Sequence, residues 1–202
     1  MKHSKRLLLF RNYGRLIMSI ICFVLYLPHY LLYLIIRNSY IPDDVRSYKK
    51  HLNLPFSTSL CLIYLLHTNP YFRTLFYHRL HPALAALISW WRPGNKYFII
   101  SKTTEIGPGA YFAHSFATEI NAKSIGSNFS CRHLTTLGNK FDGDNTLRPT
   151  IGDNVVLGVN VTIIGNIVIG NNVTIGAGSV VVKSIPSNTI VAGNPARIIS
   201  YK

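Results

Sequence analysis

His114 and His133 are the side chains best placed to move a proton. Each stands two places after an apolar residue, Phe112 and Cys131, in a region of regular six-residue spacing. Imidazole changes charge near neutral pH, so a histidine facing a hydroxyl can act as its general base. If Phe112, Cys131, Leu157 and Ile175 open the same face in successive turns of a coil, the residues two places on form a column: His114, His133, Val159, Ala177. Turns stack about 4.8 Å apart, so the column rises roughly 14 Å. A base stands at one end and small side chains at the other. Inward positions of this region are apolar, so His114 is off the core and is the predicted base. His133 either binds an acceptor or stacks beside His114 as a surface support. Arg148 can hold a carboxylate or phosphate, or cap the loop that precedes it. Lys183 and Arg197 lie beyond the far end of the column, as solvated charges or as contacts to phosphates.

The elements that position these residues show in the stretch Ile151–Pro186, which reads as six hexads: IGDNVV, LGVNVT, IIGNIV, IGNNVT, IGAGSV, VVKSIP. Ile151, Leu157, Ile163, Ile169, Ile175 and Val181 open them, and Val155, Val161, Ile167, Val173, Ser179 and Ile185 form a second column. A helix repeats near 3.6 residues, and a strict period of six does not fit it. Six is three strand alternations, so every hexad start can face one interior. Gly152, Asn154, Gly158, Asn160, Gly170, Asn171, Asn172 and Gly176 are expected at tight corners with φ > 0. Three short strands and three corners close one triangular coil, the hexapeptide β-helix repeat. Upstream, Ile100, Ile106 and Phe112 continue the pattern, then Ile120 after a slip, then Ile125, Cys131 and Leu137. Fourteen residues separate Leu137 from Ile151, and the excess at 139–149 predicts an excursion loop, a lid or acceptor-binding element. The domains expected are a basic, apolar helical region at 1–95 and a β-helix at 96–202.

Charge is lopsided. Residues 1–105 hold 14 basic and 3 acidic side chains, and residues 106–202 hold 7 and 4. Such a basic segment suits an anionic membrane or nucleic acid, and no nucleic-acid module is spelled out. Leu16–Ile36 is a 21-residue run without formal charge, long enough to span a bilayer. Pro28 interrupts it, and basic residues flank it on both sides: Lys2, Lys5, Arg6, Arg11 and Arg15 before, Arg37, Arg46, Lys49 and Lys50 after. With both flanks cationic, an interfacial helix or a re-entrant pair broken at Pro28 fits better than a span. The other reading buries these helices in a soluble subunit interface. No secretory leader is expected, because the first residues lack its apolar run and cleavage site. Helices should start at Asn69-Pro70 and His81-Pro82. Trp90, Trp91, Arg92 and Lys96 either line a membrane interface or pack against the first coil. Cys22, Cys61 and Cys131 are scattered and read as reduced thiols in a cytoplasmic protein.

The strings IGPGAYFAH at Ile106–His114, Leu137-Gly138, RPTIGDNV at Arg148–Val155, IGAGSVV at Ile175–Val181 and AGNPAR at Ala192–Arg197 resemble the serine acetyltransferase branch of the hexapeptide acyltransferases. The resemblance covers roughly half the chain. It implies a mainly β fold, a left-handed parallel β-helix behind an α-helical N-terminal part, assembled as a homotrimer. It implies acetyl-CoA as donor, with its pantetheine arm along the column past Val159 and Ala177 and its phosphates near Lys183 and Arg197. It places the general base at His114, and it leaves His133 and Arg148 for the acceptor.

Three positions depart from the serine enzymes. Ala113 stands where they carry an Asp, Ile99 where they carry the carboxylate partner of the base, and Arg148 where they carry a second histidine. Free serine needs carboxylates for its ammonium, so the pattern is closer to the capsular and exopolysaccharide O-acetyltransferases that resemble this branch. The acceptor expected is a sugar hydroxyl, possibly lipid-linked, at the inner face of the cytoplasmic membrane. Serine O-acetyltransferase is the alternative, and a non-catalytic trimeric scaffold the further one. A metal enzyme on this fold would need three histidines, and only His114 and His133 lie on the coils, so no metal is expected. Glu119 and Asn121 are the nearest candidates to orient His114.

Overall fold

The hexads fold as their period requires. In the structure, a computed structural model, residues 2–36, 40–141 and 143–202 are described. Arg37, Asp142 and the side chains of Lys2, Lys5 and Arg6, which enter the charge reading and the loop, lie outside the described residues. The chain forms two units, Met1–Gly94 and Asn95–Lys202.

The second unit is a left-handed parallel β-helix of five coils. The first coil holds β1 (Phe98–Ile100), β2 (Glu105–Ile106) and β3 (Tyr111–Ala113), and the second β4 (Thr118–Ile120), β5 (Ser124–Ile125) and β6 (Ser130–Arg132). The third holds β7 (Thr136–Gly138), β8 (Thr150–Ile151) and β9 (Val156–Leu157), and the fourth β10 (Thr162–Ile164), β11 (Val168–Ile169) and β12 (Thr174–Ile175). The fifth has β13 (Val180–Val181), a single bridge at Ile185 and β14 (Thr189–Gly193), after which β15 (Ala196–Tyr201) turns back antiparallel on β14. Three flat faces result: β1-β4-β7-β10-β13, then β2-β5-β8-β11, then β3-β6-β9-β12-β14-β15. Both apolar columns point inward, with Val155, Leu157, Val161, Ile163, Ile169, Val173 and Ile175 all buried. Each such side chain contributes about 1.5–3 kcal/mol by leaving water.

Two expectations need correcting. The sixth hexad is short by two residues, so Ile185 pairs with Ile169 on the second face and is not a second-column residue of a full hexad. Gly152, Gly158, Gly170, Gly176 and Asn171 do not have φ > 0, although Gly109 and Gly178 at other corners do. Asn154, Asn160 and Asn172 take the left-handed conformation, with φ of 55°, 57° and 57°. Gly152, Gly158, Gly170 and Gly176 instead lie so close to the next coil that a Cβ would meet its atoms at 2.4 to 2.8 Å. The asparagines also bind one another: Asn128 donates to Asn154, Asn154 to Asn172 and Asn172 to Asn188, at 3.0, 3.1 and 2.9 Å. This ladder ties the corner between the second and third faces.

The first unit is helical: α1 (Lys2–Ile21), a 3-10 turn (Cys22–Tyr26), α2 (Leu27–Ile35), α3 (Ile41–Leu52), α4 (Thr58–Thr68), α5 (Pro70–His78) and α6 (Pro82–Ser89). Asn69 caps α5 by accepting from Phe72 N–H at 2.9 Å, and Pro70 opens that helix, as the sequence predicts. Pro28 sits in the first turn of α2, directly after the 3-10 turn that interrupts the apolar run. Phe10–Ile35 is long and apolar enough to cross a membrane by length and composition, and its most apolar window is only 22% buried. Phe10, Ile17, Ile21, Val24 and Ile35 are exposed. Trp90 and Trp91 are also exposed, stacked edge to face at 5.7 Å. The core is Tyr26, Tyr48, Leu65, Leu66, Phe72 and Phe76, with a buried ion pair in which Arg79 Nε donates to Asp44 at 2.9 Å.

His29 is buried in this unit, its Nε2 at 2.9 Å from the Tyr77 hydroxyl. Burial, helped by the Arg73 guanidinium, lowers its pKa from 6.5 to about 4. Between those values the unfolded chain binds more protons than the folded one, so acid favours unfolding. The helical unit is expected to lose stability as pH falls from about 6.5 to about 4. Melts followed by circular dichroism test this, and a midpoint constant across that window would count against it.

Candidate active site

The column forms as its spacing predicts. Phe112 pairs with Cys131, Ser130 with Val156 and Leu157 with Ile175. That register stacks His114, His133, Val159 and Ala177 on the edge between the third face and the first. Backbone bonds lock it: Asn160 N–H donates to His133 C=O at 3.0 Å and Gly178 N–H to Val159 C=O at 2.8 Å. His114 and Ala177 are exposed, while His133 and Val159 are half-buried.

His114 sits where the edge departs from regularity. Six residues separate Cys131 from Leu137, Leu157 from Ile163 and Ile175 from Val181, but eight separate Phe112 from Ile120. The two extra residues make a bulge in which His114 and Ala117 both have positive φ, 52° and 48°. For a residue with a Cβ the left-handed conformation costs roughly 1–2 kcal/mol, and such outliers cluster at functional sites. The bulge is held by Phe116 N–H donating to His114 C=O at 2.6 Å and Leu134 N–H to Phe116 C=O at 3.0 Å. Phe116 packs edge to face on Tyr97 at 5.1 Å, an aromatic pair at this corner that the sequence reading missed. Its signal was the slip between Phe112 and Ile120, which says that a corner is enlarged but not what fills it.

Among the described residues no carboxylate hydrogen-bonds the His114 ring. Ile99 is exposed, and its partner in register is Glu119, also exposed, one coil away on the first face. Asn121 is engaged elsewhere: its Nδ2 donates to Asn139 at 3.0 Å and its Oδ1 accepts from Arg148 at 3.4 Å. Arg148 is tied at the base of the excursion loop, where Nη1 donates to Thr103 Oγ1 at 2.8 Å and to Ala122 C=O at 3.3 Å, and Nε to Asn145 C=O at 2.8 Å. Arg148 and Lys183 both lie on the edge between the first and second faces, so a single chain does not bring them to the column. Arg197 is exposed on β15, paired with Ala192, at the end of the third face beyond Ala177. Cys131 points inward, and burial raises its thiol pKa to about 12, which removes it as a nucleophile. Among the described residues no three His, Cys, Asp or Glu side chains gather as a metal site requires.

Residues 148–183 match the bacterial transferase hexapeptide family (six repeats). WcaB of Escherichia coli (strain K12), named as a colanic acid biosynthesis acetyltransferase, is 45% identical over 100 residues, 49% of this chain and 61% of WcaB. Serine acetyltransferase 4 of Arabidopsis thaliana is 36% identical over 103 residues, 50% of this chain and 29% of that protein. The chain thus spans less than two thirds of the length of these relatives. Among solved structures, the serine acetyltransferase of Neisseria gonorrhoeae in complex with serine superposes with a TM-score of 0.63 at 30% identity, over 80% of this chain and 68% of that one. The serine acetyltransferase of Brucella abortus strain S19 in complex with coenzyme A gives 0.64 at 26% identity, over 80% and 67%.

Proposed function

Because the chain belongs to the hexapeptide-repeat acyltransferases of the serine acetyltransferase type, we propose that it moves acetyl from acetyl-CoA to a hydroxyl of a sugar in surface-polysaccharide synthesis. The observation that carries this is His114, exposed on a bulged corner at the head of the column His133, Val159 and Ala177. In the reaction, the unprotonated imidazole takes the proton of the acceptor hydroxyl while that oxygen attacks the thioester carbonyl. The tetrahedral intermediate collapses, the C–S bond breaks, and the coenzyme thiolate leaves and is protonated by His114. Backbone N–H groups at a corner stabilise the oxyanion. Val159 and Ala177 pass the pantetheine arm, and Arg197 meets phosphates beyond them. Glu119, the partner of Ile99 in register, is the carboxylate in which a partner for the imidazole would be sought first.

A homotrimer would set the edge carrying Arg148 and Lys183 of one subunit against the His114 edge of another. This completes the site with groups that one chain keeps apart. Sedimentation of the purified protein reads the stoichiometry. Attachment of the helical unit to the inner face of the cytoplasmic membrane is supported by the exposed apolar face of Phe10–Ile35 and by Arg11 and Arg15 beside it. Fractionation of the full chain against one lacking residues 1–94 tests it, and a soluble full-length protein would refute it.

The acceptor reading rests on Ala113, Ile99 and Arg148 and on the likeness to WcaB. Free L-serine is therefore expected to be a poor acceptor beside lipid-linked or nucleotide-linked sugars. Release of coenzyme thiol from acetyl-CoA measures this. A serine dependence that saturates as strongly as with the best sugar would move the assignment to serine acetylation.

A further inference from the structure

Four buried polar atoms without a hydrogen-bond partner among the described residues gather in the helical unit: the Tyr26 hydroxyl, His29 Nδ1, His67 Nδ1 and Arg92 Nε. They form one cluster. The Tyr26 ring lies 5.7 Å from the rings of both His29 and His67, and the Arg92 guanidinium lies over it at 5.5 Å. Arg73 adds a second cation, half-held by backbone, its Nη1 donating to Leu66 C=O at 2.8 Å and its Nε to Pro93 C=O at 3.0 Å. Nothing anionic answers these charges. The carboxylates of this unit are Asp43 and Asp44, and they are held by Arg46 and Arg79.

His67 opens from this cluster into a cavity of about 570 Å³ that Phe10, Arg11, Arg15 and Met18 also line. Arg11 and Arg15 are four apart on α1, hence on one face of that helix, and neither has an ion-pair partner among the described residues. Gly14 leaves room between them, since a Cβ placed there would have no heavy atom within 4 Å. Arg11, Arg15 and His67 line one opening, and two guanidinium forks with an imidazole suit an oxyanion with several acceptor oxygens, such as a phosphate. The rim is not polar, however: Phe10 and Met18 lead onto the exposed apolar face of Ile17, Ile21 and Val24.

We propose that this cavity binds the phosphate headgroup of a membrane lipid, with Arg11 and Arg15 on the phosphate oxygens, His67 behind them and the lipid tail along the apolar face of α1. The site rests on the reading that the helical unit meets a membrane. It adds to that reading a preference for a terminal phosphate over other anionic headgroups, because two forks and a third donor exceed what a phosphodiester can use.

The test uses the full chain and flotation with three vesicles: phosphatidylcholine alone, phosphatidylcholine with phosphatidic acid, and phosphatidylcholine with phosphatidylglycerol matched in surface charge. Attachment to all three is expected, with phosphatidic acid favoured by about tenfold or more, as loss of a charge-assisted bond implies. Arg11→Gln with Arg15→Gln, and separately His67→Leu, should bring the two anionic vesicles to parity and leave attachment to neutral vesicles intact. Equal binding of the parent protein to both anionic vesicles would overturn the site while membrane attachment stands. So would a preference that survives in both variants. Failure to bind any vesicle would overturn the attachment itself. Inorganic phosphate or pyrophosphate held without vesicles as tightly as the lipid would make the site one for a free anion and refute the lipid.

Discussion

The His114→Ala protein should fold as the parent does and turn over roughly 10²- to 10⁴-fold more slowly, the usual share of a positioned general base. Its side chain is exposed on the edge of the coil, so removing it empties no part of the core. The one structural risk is the backbone, since φ is 52° there and alanine tolerates the left-handed region less well than histidine does. His114→Asn is the control: asparagine adopts that conformation readily, as Asn154, Asn160 and Asn172 do in this chain, and it cannot act as the base. Both variants should therefore lose turnover alike, with melting temperatures and coenzyme affinity close to the parent. Acetyl transfer to the best sugar acceptor measures the first and calorimetry the rest. Turnover within about threefold of the parent in the Asn variant would remove His114 from the chemistry.

The path from sequence to site was legible where a single period governs it. Hexad starts fix which residues face inward, and once Phe112, Cys131, Leu157 and Ile175 share a face, the column from His114 to Ala177 follows without knowledge of any side-chain contact. Pro28 and Asn69-Pro70 were legible because proline and capping act locally. What depends on closing the coil was not. Arg148 finds Thr103 and Asn121 across 45 and 27 residues of chain, and no local pattern announces those partners. Glu119 was named from the sequence by proximity to His114, but its register with Ile99 appears only when two coils are stacked. Corner composition was read correctly as a need for Asn and Gly, but the two types answer different needs. Asn154, Asn160, Asn172 and Gly178 supply the left-handed turn, and Gly152, Gly158, Gly170 and Gly176 the close approach of coils.

Close approach makes Gly158→Ala a damaging small change in the β-helix, and one that reaches the proposed site. Its φ is not in the left-handed region, so alanine's backbone preferences are not the obstacle. The obstacle is contact: a Cβ at Gly158 would lie 2.6 Å from Ala177 N, 2.9 Å from Ala177 Cα and 3.0 Å from Gly176 C. All three are backbone atoms of the next coil, and no flexible side-chain end can swing away. The coils must part, and they are joined here by Gly158 N–H donating to Ile175 C=O and Gly178 N–H to Val159 C=O, both at 2.8 Å. Inserting one methyl into such a contact costs about 1–3 kcal/mol or more, a fall in melting temperature of roughly 5–15 °C. The separation opens between Val159 and Ala177, in the groove assigned to the pantetheine arm, so coenzyme affinity should fall together with stability. Gly138→Ala is the matched control, because there a Cβ meets only Ile164 Cδ1 at 3.5 Å, an ordinary contact with a side-chain end. Melting curves and coenzyme A titrations of the two variants decide the matter. If Gly158→Ala melts with the parent and binds the coenzyme as well, the coils do not touch where the geometry places them.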